Sequence, residues 1–278
     1  MELSFRRWKS QGPTQAKILL LHGMGGTGSL WRPVAAGLED HFDLLAPDQR
    51  GHGDSRILAI PGGRSPETYL PLDYGTDIIQ TMRAQNFHPA WLVGHSMGVR
   101  SACAAFHLQP DWVQGMVLVD LGFSGLAGGG LGEGLAEFLK KLPLAFNSRA
   151  EARNFMQMEC PDPSIGQYLM AVSVPQHDGG VTFPFDRAAL IETIYAARDA
   201  SVQAWIEEAG RLSKPVLILR GAQSQVWTET DFEATRLKLA AYPSLRFETF
   251  EGTGHGLPFE KRIQFVQRVR EFITQYPG

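Results

Sequence analysis

The chain has 278 residues, 44% hydrophobic and 20% charged, and a formal charge of −3 from 26 basic and 29 acidic side chains. Those values suit one large domain, or one domain with an insertion, and supply enough apolar residues for a sizeable core. They make no case for a nucleic-acid partner or a membrane surface, and two cysteines, Cys103 and Cys160, make no disulfide framework. Both cysteines are expected to be reduced and buried. The first residues, Met1-Glu2-Leu3-Ser4-Phe5-Arg6-Arg7-Trp8, hold no apolar core of signal-peptide length, and no stretch reaches the length of a membrane span. A cytoplasmic protein is the expectation.

In chain order, residues 3–8 read as a short strand and Lys17-Ile18-Leu19-Leu20-Leu21-His22 as a strand buried on both faces. The glycine-rich turn Gly23-Met24-Gly25-Gly26-Thr27-Gly28 follows, then a helical segment from Ser29 to Leu38. Phe42-Asp43-Leu44-Leu45-Ala46 is another buried strand, leading into Pro47-Asp48-Gln49-Arg50-Gly51-His52-Gly53-Asp54-Ser55. A long loop through Gly62 and Gly63 precedes a predicted helix near residues 73–85 and a strand over 91–93. Later strands are Gly115 to Asp120, Pro215 to Gly221 and Leu245 to Phe250. The last helix places Phe259, Ile263, Val266, Val269 and Ile273 at spacings of three and four, an apolar stripe for the sheet. Strands alternating with helices predict an α/β fold with a mostly parallel sheet covered on both faces.

The interval from Asp120 to Pro215 is far longer than the about thirty residues of a single crossover unit. It opens rich in glycine, Gly122 to Gly134, and then shows helical stripes, among them Leu135, Phe138, Leu139 and Leu142. A structureless loop of that length would be unusual, so a helical cap is expected over 122–210, inserted into a core of 1–121 and 211–278.

The strand at 91–93 runs straight into Gly94-His95-Ser96-Met97-Gly98, and small helix-tolerant residues follow. This is the pattern of a nucleophile elbow, in which a strand turns abruptly into a helix with a serine at the apex. A serine hydroxyl needs a base, a group that orients the base, and donors for the oxyanion that forms. His255, between Gly254 and Gly256 directly after the last strand, is the candidate base. The remaining histidines are weaker candidates: His22, His52 and His95 adjoin turns and are expected to serve structure, and His41, His88, His107 and His177 stand in no motif. For the acid, Asp120 ends one apolar strand, whereas Glu229 and Asp231 follow the strand that ends Arg220-Gly221. Asp48 precedes the serine and fits the order Ser…Asp…His badly. The backbone N–H groups of Met24 and Met97 are the candidate oxyanion donors. Met24, Phe123 and Trp205 are candidate substrate contacts, with Phe138 and Phe155 among the apolar residues available to a pocket. No metal or organic cofactor is implied, there being no His-Glu-x-x-His or paired-cysteine pattern.

Taken together, His22-Gly23 after a buried strand, Asp48-x-Arg50-Gly51-His52-Gly53-x-Ser55, the Gly94–Gly98 elbow and Gly254-His255 resemble the α/β-hydrolase family. The resemblance spans both ends of the chain and weakens in the insertion. It implies an eight-stranded, mainly parallel sheet with a helical lid, Ser96 as nucleophile, His255 as base, and Met24 and Met97 as oxyanion donors. This chain departs from the pattern at Ser224, where many members carry the acid. Other members, including some small esterases, take it from the earlier strand end, which supports Asp120. A serine at the elbow argues against haloalkane dehalogenase or epoxide hydrolase activity, since those relatives place aspartate there.

The expectation is a serine esterase acting on a small or medium apolar ester. Thioester, amide and carbon–carbon bond hydrolysis use the same triad, and a slow-turnover ligand sensor keeps it too. One rival has another basis. Gly23-x-Gly25-x-x-Gly28 after a strand, with Asp48 twenty residues beyond, has the spacing of a dinucleotide fingerprint, which would make the protein an NAD-dependent oxidoreductase.

Overall fold

A computed structural model describes residues 1–56, 69–123, 130–199 and 202–276. The expected loop through Gly62 and Gly63, and positions 124–129 of the glycine-rich stretch, lie outside the described residues. In the first half, β1 (Phe5–Trp8), β2 (Ala16–Leu21), α1 (Arg32–Ala35), β3 (Phe42–Pro47), α2 (Pro71–Ala84), β4 (Ala90–His95), α3 (Met97–Leu108) and β5 (Val113–Val119) follow one another. The long interval then holds α4 (Gly130–Lys141), β6 (Ala145–Phe146), α5 (Arg149–Glu159), α6 (Pro163–Val172), β7 (Val174–Pro175), β8 (Val181–Thr182), α7 (Arg187–Asp199) and α8 (Gln203–Arg211). The chain closes with β9 (Val216–Gly221), α9 (Glu229–Lys238), β10 (Leu245–Phe250), α10 (Leu257–Glu260) and α11 (Arg262–Thr274).

The main sheet has the order β1-β3-β2-β4-β5-β9-β10. Only β1 runs antiparallel, and the other six strands are parallel. Among the described residues the sheet has seven strands where eight were expected. Successive residues of a strand point to opposite faces. Leu19 and Leu21 accordingly join the core under α2, α3 and α8, while Ile18 and Leu20 join the core under α1 and α11. Continuous apolar runs are what this double covering requires.

Two helices differ from the sequence expectation for physical reasons. The segment Ser29–Leu38 is a 3₁₀ turn over Gly28–Trp31 followed by the single-turn α1, with Pro33 in the first turn. The C-terminal stripe is broken at Lys261 into α10 and α11, which resets the helical phase. Ile263 is consequently 71% exposed, and Phe265 and Phe272 join Val269 and Ile273 in the core.

Between β5 and β9, the helices α4 to α7 and a small antiparallel sheet, ordered β6-β8-β7, build a core of their own around Phe138, Leu139, Met156, Leu169 and Phe185. Met24, from the glycine-rich turn, and Leu30, from the 3₁₀ turn after it, pack against it. Backbone bonds from Gly53 N to Pro184 O (2.6 Å) and from Asp186 N to Gly51 O (2.8 Å) tie this layer to the loop after β3. The helix α8 belongs elsewhere: Val202, Ile206 and Ala209 enter the core beneath α3.

Parallel pairing brings the C-terminal strand ends to one edge. Leu21 pairs with Gly94, His95 with Val119, and Val119 with Leu219. The chain goes from β2 outwards to β3 and then back across to β4, so its direction of winding reverses between β2 and β4. Open α/β sheets bind ligands at such a crevice.

Candidate active site

Ser96 sits at that crevice with φ 53° and ψ −121°, between the end of β4 and the start of α3. A side chain on either flanking glycine would forbid this turn. A Cβ on Gly94 would stand 2.3 Å from Gly98 O, and one on Gly98 would stand 2.3 Å from Leu21 O. The serine hydroxyl is thereby held at a helix N-terminus, where Met97 N, as the first helical amide, has no acceptor within its own helix. The turn after β2 lies alongside: a Cβ on Gly23 would be 3.1 Å from Ser96 Cβ. That contact brings the following residue, Met24, to the cavity wall that Ser96 also lines.

His255 Nε2 lies 3.0 Å from Ser96 Oγ, and its Nδ1 lies 2.8 Å from Asp120 Oδ2. A carboxylate can only accept, so Nδ1 carries the proton and Nε2 is free to accept from the serine. Asp120 is fully buried and His255 is 13% exposed. Two further donors hold the carboxylate: Gly221 N reaches Oδ1 at 2.9 Å and Ser224 Oγ reaches Oδ2 at 2.5 Å. Asp120 directly follows β5 and Gly221 ends the neighbouring β9, so the sheet register itself sets this arrangement.

The loop carrying His255 is fixed from three sides. Gly221 lacks a side chain where a Cβ would meet Gly254 O at 2.2 Å. Glu260, in α10, accepts from Gly254 N (2.8 Å) and Gly256 N (3.1 Å), the amides on either side of the histidine. His95 Nε2 donates to the His255 carbonyl at 2.7 Å. Burial, followed by the neighbouring His255, lowers the pKa of His95 to about 3, so it is a neutral donor.

His22 and His52 are structural, linking the two loops beside Ser96. His22 Nε2 accepts from Gln49 N and His52 Nε2 accepts from Gly25 N, each at 2.9 Å. Burial lowers their pKa values to about 4 and about 3. Asp48 is equally taken up within the chain: its oxygens accept from Gly28 N (2.7 Å) and Asp54 N (2.9 Å). That occupation removes the aspartate which the dinucleotide reading needs for a ribose. Glu229 and Asp231 lie exposed in the first turn of α9, where Asp231 N donates to Thr228 Oγ1 at 3.2 Å as part of a helix cap. Cys103 is buried with a thiol pushed well up by burial, whereas Cys160 is only partly buried.

A cavity of about 380 Å³ opens over Ser96 and His255, walled by Met24, Leu121, Leu139, Leu169, Ile194 and Trp227 among others. Met24 lines the cavity wall. Phe123 and Trp205 are not among the lining residues. Phe123 is buried against Trp227 with ring centroids 5.7 Å apart, one layer below the cavity. Trp205 rides on α8 and stacks on His107 (5.2 Å), because α8 packs against α3. Ser224 and Glu260 were not singled out from sequence as site residues. The only signal was the departure at Ser224 from the pattern that the resemblance implies.

The chain belongs to the alpha/beta hydrolase family, whose model matches residues 18–268. Within the family it is similar to the 2-(acetamidomethylene)succinate hydrolase of Mesorhizobium japonicum, at 30% identity over 79% of this chain and 74% of that one. It is also similar to the 2-succinyl-6-hydroxy-2,4-cyclohexadiene-1-carboxylate synthase of Yersinia pestis, at 28% identity over 93% and 87%. A marine microorganism esterase shares the fold with a TM-score of 0.76 at 21% identity, covering 98% of this chain and 99% of that one. The family makes this protein a hydrolase, and no helix among the described residues is long and apolar enough to cross a membrane.

Proposed function

We propose that the protein is a serine hydrolase that cleaves a carboxylic ester through an acyl-enzyme, with Ser96, His255 and Asp120 as its triad. The observation that carries the reading is the unbroken relay from Ser96 Oγ through both nitrogens of His255 to Asp120, at 3.0 and 2.8 Å. Ser96 Oγ attacks the carbonyl carbon while His255 Nε2 takes its proton. The resulting oxyanion is received by the amides of Met24 and Met97. Collapse breaks the bond to the alkoxide oxygen, which leaves as the alcohol with the proton from His255. A water deprotonated by His255 then attacks the acyl carbon, and the carboxylic acid departs as Ser96 regains its proton. The apolar cavity suits a small or medium apolar ester, and the layer from α4 to α7 acts as the cap that shapes it.

Fluorophosphonate labelling followed by mass mapping tests the assignment. The label is expected on Ser96, and Ser96→Ala is expected to lose hydrolysis of short p-nitrophenyl esters. A label elsewhere, or an active Ser96→Ala variant, defeats the proposal. Steady multiple turnover on those esters separates an enzyme from a ligand sensor. Two relatives act on or form carboxylate-bearing compounds, a 2-(acetamidomethylene)succinate and a cyclohexadiene-1-carboxylate, and carbon–carbon bond cleavage with the same triad is the second reading, to be tested on carboxylate-bearing substrates alongside the esters.

A further inference from the structure

Side chains of the inserted layer stand where two glycines of the turn after β2 would otherwise carry their own. Gly26 N donates to Gly23 O at 3.1 Å, and Gly25, the third residue of that turn, has φ 79°. This is the form of a type II turn, which calls for glycine at its third position. A Cβ on Gly25 would lie 3.0 Å from Leu169 Cδ2 and 3.3 Å from Phe185 Cε1, and one on Gly26 would lie 2.5 Å from the Tyr168 hydroxyl. Tyr168 and Leu169 are consecutive residues of α6, so one helix covers both glycines. The Tyr168 hydroxyl is buried with no hydrogen-bond partner among the described residues, so packing sets where it sits. From the core side, the turn is held at Gly25 N by His52 and at Gly28 N by Asp48. His52 also forms a backbone bridge to Phe185. Met24 thus lies between Gly23, which abuts Ser96, and the two glycines that α6 covers.

We propose that α6 seats the oxyanion hole: Tyr168 is a positioning residue, and with Leu169 it fixes the turn that presents the Met24 amide to the reacting carbonyl. This rests on the reading of Ser96 as nucleophile and of Met24 N as an oxyanion donor. Such a donor works only where it stands about 3 Å from the oxygen that becomes charged, and losing one costs about 10²–10³ in kcat. Close-packed neighbours transmit small displacements instead of absorbing them. A shift of α6 is therefore felt at Met24 N, although Tyr168 itself need not touch the substrate. The inserted layer does more than wall the cavity. The sheet edge supplies Ser96 and His255, and the layer completes the place that receives the charge.

The experiment is a double-mutant cycle on Gly26→Ala, Tyr168→Phe and the variant carrying both. Each is assayed with one p-nitrophenyl ester and with two inhibitors, an alkyl trifluoromethyl ketone and the matching alcohol. Ser96 Oγ adds to the ketone carbon, His255 Nε2 takes the hydroxyl proton, and the ketone oxygen becomes an oxyanion. The alcohol makes the same wall contacts and no oxyanion, so the preference for the ketone over the alcohol reads the hole alone. Gly26, unlike Gly25, has no positive φ, so alanine there adds only the contact with Tyr168 and its neighbours. Gly26→Ala is expected to lower kcat and the ketone preference each by about tenfold, less than the loss of a whole donor, with KM near its wild-type value. Removing the tyrosine oxygen makes room for the added methyl, and the double variant should recover most of both losses. Leu169→Ala, which leaves Gly25 unsupported, should lower the ketone preference too, and it carries the test if Gly26→Ala does not fold by circular dichroism. Losses in the double variant equal to the product of the single ones, or an unchanged preference in Gly26→Ala and Leu169→Ala, would overturn the role of α6. A wild type that cleaves the ester but forms no ketone adduct on Ser96 would instead defeat the reading of Ser96, and the role of α6 with it.

Discussion

His95 and His255, 160 positions apart, are joined by a 2.7 Å hydrogen bond from the His95 ring to the His255 backbone carbonyl. The residue immediately before Ser96 therefore braces the loop that carries His255, and Ser96 and His255 share one mechanical link. His95→Phe keeps a ring in the buried site and removes the donor. It is expected to lower kcat by about tenfold through misalignment of the imidazole. His95→Gln, which can still donate, should lose less. Rates of fluorophosphonate labelling measured beside kcat check this, since both depend on the Ser96–His255 alignment.

Asp120→Asn should lower kcat by about 10⁴, because the amide presents a donor to Nδ1 and favours the wrong tautomer of His255. Rate assays on protein shown to be folded decide it. A loss below tenfold would return the acid to Glu229 or Asp231, despite their exposed places in α9.

Gly98→Ala is expected to destabilise the fold by about 3 kcal/mol, the upper end of ordinary overpacking, as the added Cβ would fall 2.3 Å from Leu21 O. The contact is with backbone, which cannot swing aside like a side-chain tip. Urea unfolding monitored by tryptophan fluorescence gives the value.

Acid should unfold the protein steeply. His22, His52 and His95 have pKa values lowered by burial to about 4, about 3 and about 3, against an ordinary value of 6.5. Between those limits the unfolded chain binds protons that the folded chain excludes, so stability rises with pH there. The contribution is complete above about 6.5 and is lost as the pH falls towards 4 and 3. Urea midpoints measured from pH 7 to pH 4 should fall with a slope to which each of these histidines adds up to one proton. His22→Gln should flatten that slope while lowering stability at pH 7, where the bond from Gln49 N is weakened or lost.

Much of this arrangement was legible before any coordinates. The strands at 42–47, 113–119, 216–221 and 245–250, the elbow at Ser96 and the glycine-flanked His255 are local patterns of apolar runs, glycines and turns. Local patterns carry strand identity well, since a strand buried on both faces announces itself by uninterrupted hydrophobicity. The pattern failed where phase or partner mattered. Ile263 has the spacing of a buried residue but follows a helix break at Lys261. Trp205 and Phe123 have pocket-like chemistry but pack on His107 and Trp227.

The order of chemical groups along the chain, with a serine elbow, an acid-ended strand and a late histidine, is a property of the residues alone. Which carboxylate faces His255 is not. Asp120, Glu229 and Asp231 are chemically close to equivalent in one dimension. Only the parallel register of β4, β5 and β9 puts Asp120 beside Nδ1, and only the cap on α9 takes up Asp231. The roles of Ser224, His95 and Glu260 belong to the same class, since each depends on a hydrogen bond whose range is about 3 Å and whose direction is set by elements far apart in sequence.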